Sequence, residues 1–247
     1  MLDTHKIISI ALGLLFTVVL AIFSNPVPVF RFLLPAFMAV LMVTFFYSRF
    51  YLKSLGKYNF WVILRPLLLQ SSGFLLFLLL PGPFYRGLFL VVTAALIAIL
   101  EITLAKFSEN ALLNETLLIA FGFYFSFFGF VQYFPAFASW YLLGVFMALF
   151  LLARCFYDYV PHGSNMKLLN ALVASFLGTQ IFWASTFLPF HYSALAVLGV
   201  SFFYVILVLN YHFLFNILSP KRAKLYLFLA GISLVLVFSA TPWRVMD

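Results

Sequence analysis

Apolar residues come in runs about as long as a bilayer is thick, one after another along the chain, and this constrains the fold more than any motif does. A helix needs about 20 mostly apolar residues to cross about 30 Å of hydrocarbon. Breaks carrying proline or charge divide the 247 residues into nine such runs, 7–23, 29–47, 61–80, 86–105, 115–132, 136–156, 167–188, 191–214 and 225–241. A single rod from Lys167 to His212 would be about 69 Å long at 1.5 Å per residue, so the chain has to turn near Pro189. Apolar residue types fill 66% of the positions and charged ones 8%, against about one quarter charged in soluble domains. A water-facing surface cannot be built from that supply. The expectation is an all-α transmembrane fold, a single domain over 1–247 made of about nine membrane-spanning helices in tandem hairpins, with no soluble domain.

Charge placement sets the orientation. If the amino terminus is cytoplasmic, Lys6, Arg49, Lys53, Lys57, Arg65, Lys106, Arg154, Lys167, Lys221, Arg222 and Lys224 fall on the inner side. That is 11 of the 14 Lys and Arg, leaving Arg31, Arg86 and Arg244 outside. The asymmetry follows the positive-inside rule and places the carboxyl terminus outside. Tyr47, Tyr51, Tyr58, Trp61, Tyr157, Tyr159 and Tyr226 then gather at one interface, and Tyr85, Tyr133, Trp140, Tyr192 and Trp243 at the other, where an apolar ring with a polar tip suits the headgroup level. The net charge of +8 lies at helix ends and forms no cluster on a soluble face, so no nucleic-acid partner is expected. The first run reads as a retained helix, because Ala21-Ile22-Phe23-Ser24-Asn25 offers no small-residue cleavage pattern. The single cysteine, Cys155, excludes an internal disulfide and reads as a small buried apolar residue.

Prolines recur at the outer turns. Pro26 to Pro81 is 55 residues, Pro81 to Pro135 is 54, and Pro135 to Pro189 is 54. Proline suits a point where one helix stops and the next begins, because it lacks the N–H and fixes φ. Four tandem hairpins follow, whether the spacing records a duplication or only the length that two spans and a loop require. Residues equidistant from a hairpin tip lie at equal depth. Arg65 and Glu101 are centred on position 83, Glu115 and Arg154 near Pro135, and Asn170 and Asn210 on position 190. A charge near hydrocarbon costs roughly 3 kcal/mol unless paired or snorkelling. Arg65 with Glu101 and Glu115 with Arg154 are therefore expected as intramembrane charge pairs near the inner interface, the sharper alternative being that they line a polar vestibule.

Three further features are candidates for binding. Arg31 and Arg86 stand in matching places, Pro28-Val29-Phe30-Arg31 and Pro83-Phe84-Tyr85-Arg86, at the outer start of a helix. Cations there oppose the helix dipole, so outer-leaflet lipid phosphate is the expected partner, with simple snorkelling as the alternative. The seventh span carries Ala171, Ser175 and Thr179 at four-residue spacing, with Ala174 and Gly178 beside them, a face that lets helix backbones approach closely, within the chain or between subunits. The histidines His5, His162, His191 and His212 lack metal-ligand spacing, and His191 and His212 would be about 31 Å apart on one helix. They read as interfacial residues. No metal site and no cofactor is expected, and no P-loop or G-x-S-x-G pattern points to a catalytic residue.

The stretch Ile181-Phe182-Trp183-Ala184-Ser185-Thr186-Phe187-Leu188-Pro189-Phe190, the basic Ser219-Pro220-Lys221-Arg222-Ala223-Lys224 loop and the close at Pro242-Trp243-Arg244 resemble uncharacterised polytopic membrane proteins predicted in reduced-genome bacteria. The resemblance covers the last third of the chain, implies a bacterial inner membrane, and carries no activity or site. The expected function is a non-catalytic membrane subunit or scaffold packing against partner helices or lipid, with the bilayer, anionic lipid and other membrane subunits as partners. A transporter or lipid translocator is the alternative, because many transporters contain repeats, and a membrane-embedded lipid-modifying enzyme is the third reading. A polar cavity lined by Gln70, Tyr124 or Gln180 would favour transport. A cluster joining Glu101, Glu115 and Asp158 with His162 or His212 would favour catalysis.

Overall fold

The computed structural model describes residues 2–24, 30–56, 59–103, 109–158, 164–214 and 219–240. Their secondary structure is helical: α1 (Leu2–Ser24), α2 (Phe30–Ser54), α3 (Phe60–Leu79), α4 (Pro83–Thr103), α5 (Glu109–Tyr133), a 3-10 turn at Pro135–Phe137, α6 (Ala138–Tyr157), α7 (Ser164–Ser185), α8 (Tyr192–Leu214) and α9 (Pro220–Ala240). Eight of these helices, α1 to α8, are long and apolar enough to cross a membrane, as a multi-pass membrane protein requires; the apolar part of α9, Ala223–Ser239, is shorter. The largest departure from the expected spans is in α2, which continues past position 47 to Ser54 and takes Arg49 and Lys53 into the helix. The turns at Pro26 and Pro28, and Lys57, Tyr58, Lys106, Tyr159, His162, Trp243 and Arg244, lie outside the described residues.

Local chemistry sets the helix ends. Gly56 ends α2 at φ 65°, with its N–H donating to the Lys53 carbonyl at 3.1 Å, the left-handed stop that glycine permits. Asn59 opens α3 by accepting the Trp61 N–H at 3.0 Å. Between α3 and α4, Gly82 adopts φ 71° and Pro83 takes the first helical position, where no N–H is missed. Pro35 and Pro66 sit inside α2 and α3. Membrane helices tolerate internal proline because neighbouring groups satisfy the freed carbonyls.

The chain forms two compact units, Met1–Ala111 and Leu112–Asp247. In unit 1 the closest helix pair is α1 with α4, and α2 and α3 complete a four-helix ring. The buried stripe of α1, Leu12, Phe16 and Leu20, recurs at four-residue intervals, and Gly13 lets the two backbones meet: a Cβ there would fall 2.5 Å from the Ala94 carbonyl oxygen. Phe37 of α2 and Phe74 of α3 stack with centroids 4.1 Å apart.

Unit 2 is organised differently. Its closest pair is α6 with α7, followed by α7 with α8 and α8 with α9. Helix α5 engages this layer through aromatic side chains aimed at glycines on three neighbours. A Cβ on Gly144 of α6 would lie 2.8 Å from the Phe127 ring, one on Gly199 of α8 2.8 Å from the Tyr124 ring, and one on Gly178 of α7 3.0 Å from the Tyr124 hydroxyl.

Candidate functional site

Polar side chains of unit 1 gather at the end of the ring that holds the start of α1, the later turns of α2 and the last turns of α4. His5 and Ser9 on α1 are one turn apart, as are Ser48 and Tyr51 on α2, so each pair faces one way. His5 is only 6% exposed. Its Nε2 lies 3.0 Å from the Glu101 carbonyl oxygen, which can only accept, so Nε2 carries the proton. A neutral ring then accepts at Nδ1 from the Tyr47 hydroxyl, while its face stacks on Tyr51 with centroids 3.5 Å apart. The carboxylate of Glu101, fully buried, accepts from the Ser48 hydroxyl at 3.0 Å on one oxygen, with the other at 3.3 Å. One carboxyl residue on α4 is thus tied by its backbone to α1 and by its side chain to α2.

Half-way along the unit, Gln70 of α3 and Thr44 of α2 satisfy each other. The Gln70 Nε2 donates to the threonine oxygen at 3.0 Å, and both residues are fully buried. Arg65, 2% exposed, is buried on the same helix. The Glu101 carboxylate accepts from Ser48, and Arg154 pairs with Asp158, the residue that ends α6, at 3.2 Å. Glu115 is half-buried on α5. Lys167 adds a donor to the Asp158 carbonyl at 2.8 Å, closing the end of α6 onto the start of α7. Arg86 donates from Nε to the Leu80 carbonyl at 3.0 Å and sits 5.7 Å from the Phe77 ring centre, so it caps the end of α3. Arg31 lies in α2 with its side chain outside the described residues.

The small-residue face of α7 is buried: Ala171, Ala174 and Ser175 are fully covered, Thr179 half-covered, and Gly178 is pressed by Leu149 of α6, Tyr124 of α5 and Phe203 of α8. It is an internal face of unit 2. Tyr124, 1% exposed, donates its hydroxyl to the Gly178 carbonyl at 3.1 Å, whereas Gln180 is exposed. No protein-family model matches the chain, and neither curated proteins nor solved structures match it. Function must be read from geometry alone.

Among the described residues, no three of His, Cys, Asp and Glu converge as metal ligands do. His191 bonds Ser193, and His212 bonds Tyr226 at 2.9 Å. Asn170 donates back to the Met166 carbonyl of its own helix at 2.9 Å. Sequence reasoning treated His5 and Tyr47 as interfacial and passed over Ser48. A signal was present, since His5 and Tyr47 are equidistant from Pro26 and Ser48 is level with them, the depth rule that singled out Glu101. Chemically the cluster is a clamp joining three helices: both nitrogens of His5 are already engaged, and a general base needs a nitrogen left to take a substrate proton.

Proposed function

We propose that the chain is a non-catalytic membrane component of a bacterial inner membrane, with a cytoplasmic amino terminus and an external carboxyl terminus, that packs against partner helices and lipid. One observation carries this reading. Three polar side chains deep in the spans are turned onto the protein itself, Gln70 and Thr44 onto each other and Tyr124 onto the Gly178 carbonyl. A translocation path needs such groups turned toward water or solute. The buried Glu101 serves the same end, tied to α2 through Ser48.

The test is flux and scrambling in proteoliposomes, combined with photo-crosslinking from Phe176 of α7 and Leu236 of α9, both exposed apolar positions. The expected result is no solute flux or lipid scrambling above protein-free vesicles and a recurring protein adduct. Flux or scrambling that depends on the chain would overturn the reading. Orientation is tested with cysteines at Lys53 and Lys221 in a Cys155→Ala background. An impermeant maleimide added outside intact cells should label neither; labelling of either inverts the topology.

A further inference from the structure

Along the outer side of the α1–α4 seam runs an apolar groove of about 680 Å³. Small residues line it, Ala21 on α1 and Gly87, Ala95 and Ala98 on α4, together with the exposed side chains of Leu14, Val91 and Ile99. Thr17 brings the only hydroxyl, and it is spent on the Leu14 carbonyl at 2.8 Å. Nothing in the groove asks for a polar ligand. Within a bilayer a depression of this size cannot stay empty without its lining forfeiting dispersion contacts, so hydrocarbon is what it accepts.

A charge lies beside the outer end of the groove, on Arg86, which is outside the lining and is held on the α3 side. Gly87, the lining residue nearest the start of α4, follows Arg86. The Nε of Arg86 is fixed on the Leu80 carbonyl, and the ring of Phe77 lies against the guanidinium. Its two terminal nitrogens make no hydrogen bond among the described residues. A guanidinium held by one edge presents the other as a fork that matches phosphate. The lining residues extend about 16 Å along α1, from Ile10 to Ala21, and about 22 Å along α4, from Gly87 to Ile102, at 1.5 Å per residue. A partner helix crossing the membrane would follow about 30 Å of hydrocarbon, while one leaflet is about 15 Å deep. The groove reaches past a leaflet and stops short of a full span.

We propose that Arg86 and the α1–α4 groove bind one anionic phospholipid, its phosphate on the Arg86 terminal nitrogens and one acyl chain along the groove. This rests on the membrane orientation proposed above, which places the Arg86 end in the outer leaflet, and it names the lipid partner of that reading.

The experiment uses the full chain, extracted gently, reconstituted in nanodiscs of phosphatidylglycerol and phosphatidylcholine, then stripped by detergent and weighed by native mass spectrometry. Wild type should retain one phosphatidylglycerol per chain under conditions that remove phosphatidylcholine. Arg86→Gln should lower that retention about tenfold, the value of one charge-assisted contact, and Arg86→Lys should lie between. Ala95→Phe, which fills the groove, should lose the lipid with Arg86 intact. Should that variant not fold, the Arg86 series and the choice between the two lipids decide alone. Equal retention in wild type and Arg86→Gln, or equal retention of both lipids, overturns the proposal. So does a photo-crosslinker at Val91 that captures a protein or a second copy of this chain. The scaffold reading fails separately, through flux in proteoliposomes, whatever the lipid result.

Discussion

In unit 1 the nearest helices are the first and fourth, the outer members of two successive hairpins, whereas in unit 2 they are α6 and α7, which belong to neighbouring hairpins. A duplicated pair of hairpins would set α5 against α8 as α1 is set against α4. Among the described residues α5 instead reaches α8 with the ring of Tyr124 over Gly199. The regularity of the proline spacing therefore does not extend to packing. The two units close their seams by opposite means, backbone against backbone at Gly13 and Ala94, aromatic ring against glycine at Tyr124 and Gly199.

The difference is open to attack by adding side-chain atoms. Gly13→Val puts a Cβ 2.5 Å from a carbonyl oxygen that no rotamer change can move, so α1 and α4 must part. The loss should reach or pass the top of the roughly 1–3 kcal/mol typical of overpacking. Detergent-denaturation midpoints read by the fluorescence of Trp61, with Trp140, Trp183 and Trp243 changed to Phe, measure it in unit 1. Adding Ala94→Gly should restore nothing, because the clash is with backbone. Gly199→Ala in unit 2 should cost about 2 kcal/mol and behave in the opposite way. Its clash is with the Tyr124 ring, so Tyr124→Leu in the same chain should recover stability relative to the sum of the single changes. Cys155 is buried in unit 2, so its rate of thiol labelling reads this cycle locally. Rescue in both units, or in neither, would erase the distinction between them.

The polar clamp gives a smaller effect. Ser48→Ala removes the hydroxyl donated to the buried Glu101 carboxylate and should cost about 1–2 kcal/mol. Adding Glu101→Gln should return part of this, because a neutral amide is less costly to bury than a carboxylate that has lost its donor. If Ser48→Ala leaves the Trp61 transition unmoved, the hydrogen bond does not hold α2 to α4.

Helix positions were legible in the sequence because apolar length and proline act locally. Glu101, Arg65 and the α7 stripe were legible because polar or small residues are conspicuous among Leu and Phe. The Ser48 partner of Glu101 was not, because equal depth fixes a level while rotation about the helix axis fixes a face. Glu101 and Arg65 share a level, yet the Glu101 side chain is met by Ser48. Gly13 and Gly199 were invisible for a related reason. A single glycine in an apolar run announces no neighbour, and the ring that requires Gly199 lies on α5, 75 positions earlier at Tyr124.

The smallest expected effect is the most discriminating. Tyr124→Phe removes the hydroxyl from the Gly178 carbonyl and leaves the ring over Gly199. Interhelical hydrogen bonds in membranes average about 0.6 kcal/mol, and a ring of this size fully buried is worth several times that in packing. Tyr124→Phe should therefore barely change Cys155 labelling, whereas Tyr124→Leu should speed it clearly. Equal acceleration by the two would mean that the hydroxyl, and not the ring, secures α5. Unit 2 would then be held by a polar contact as unit 1 is at Glu101, and the contrast between the units would reduce to Gly13 alone.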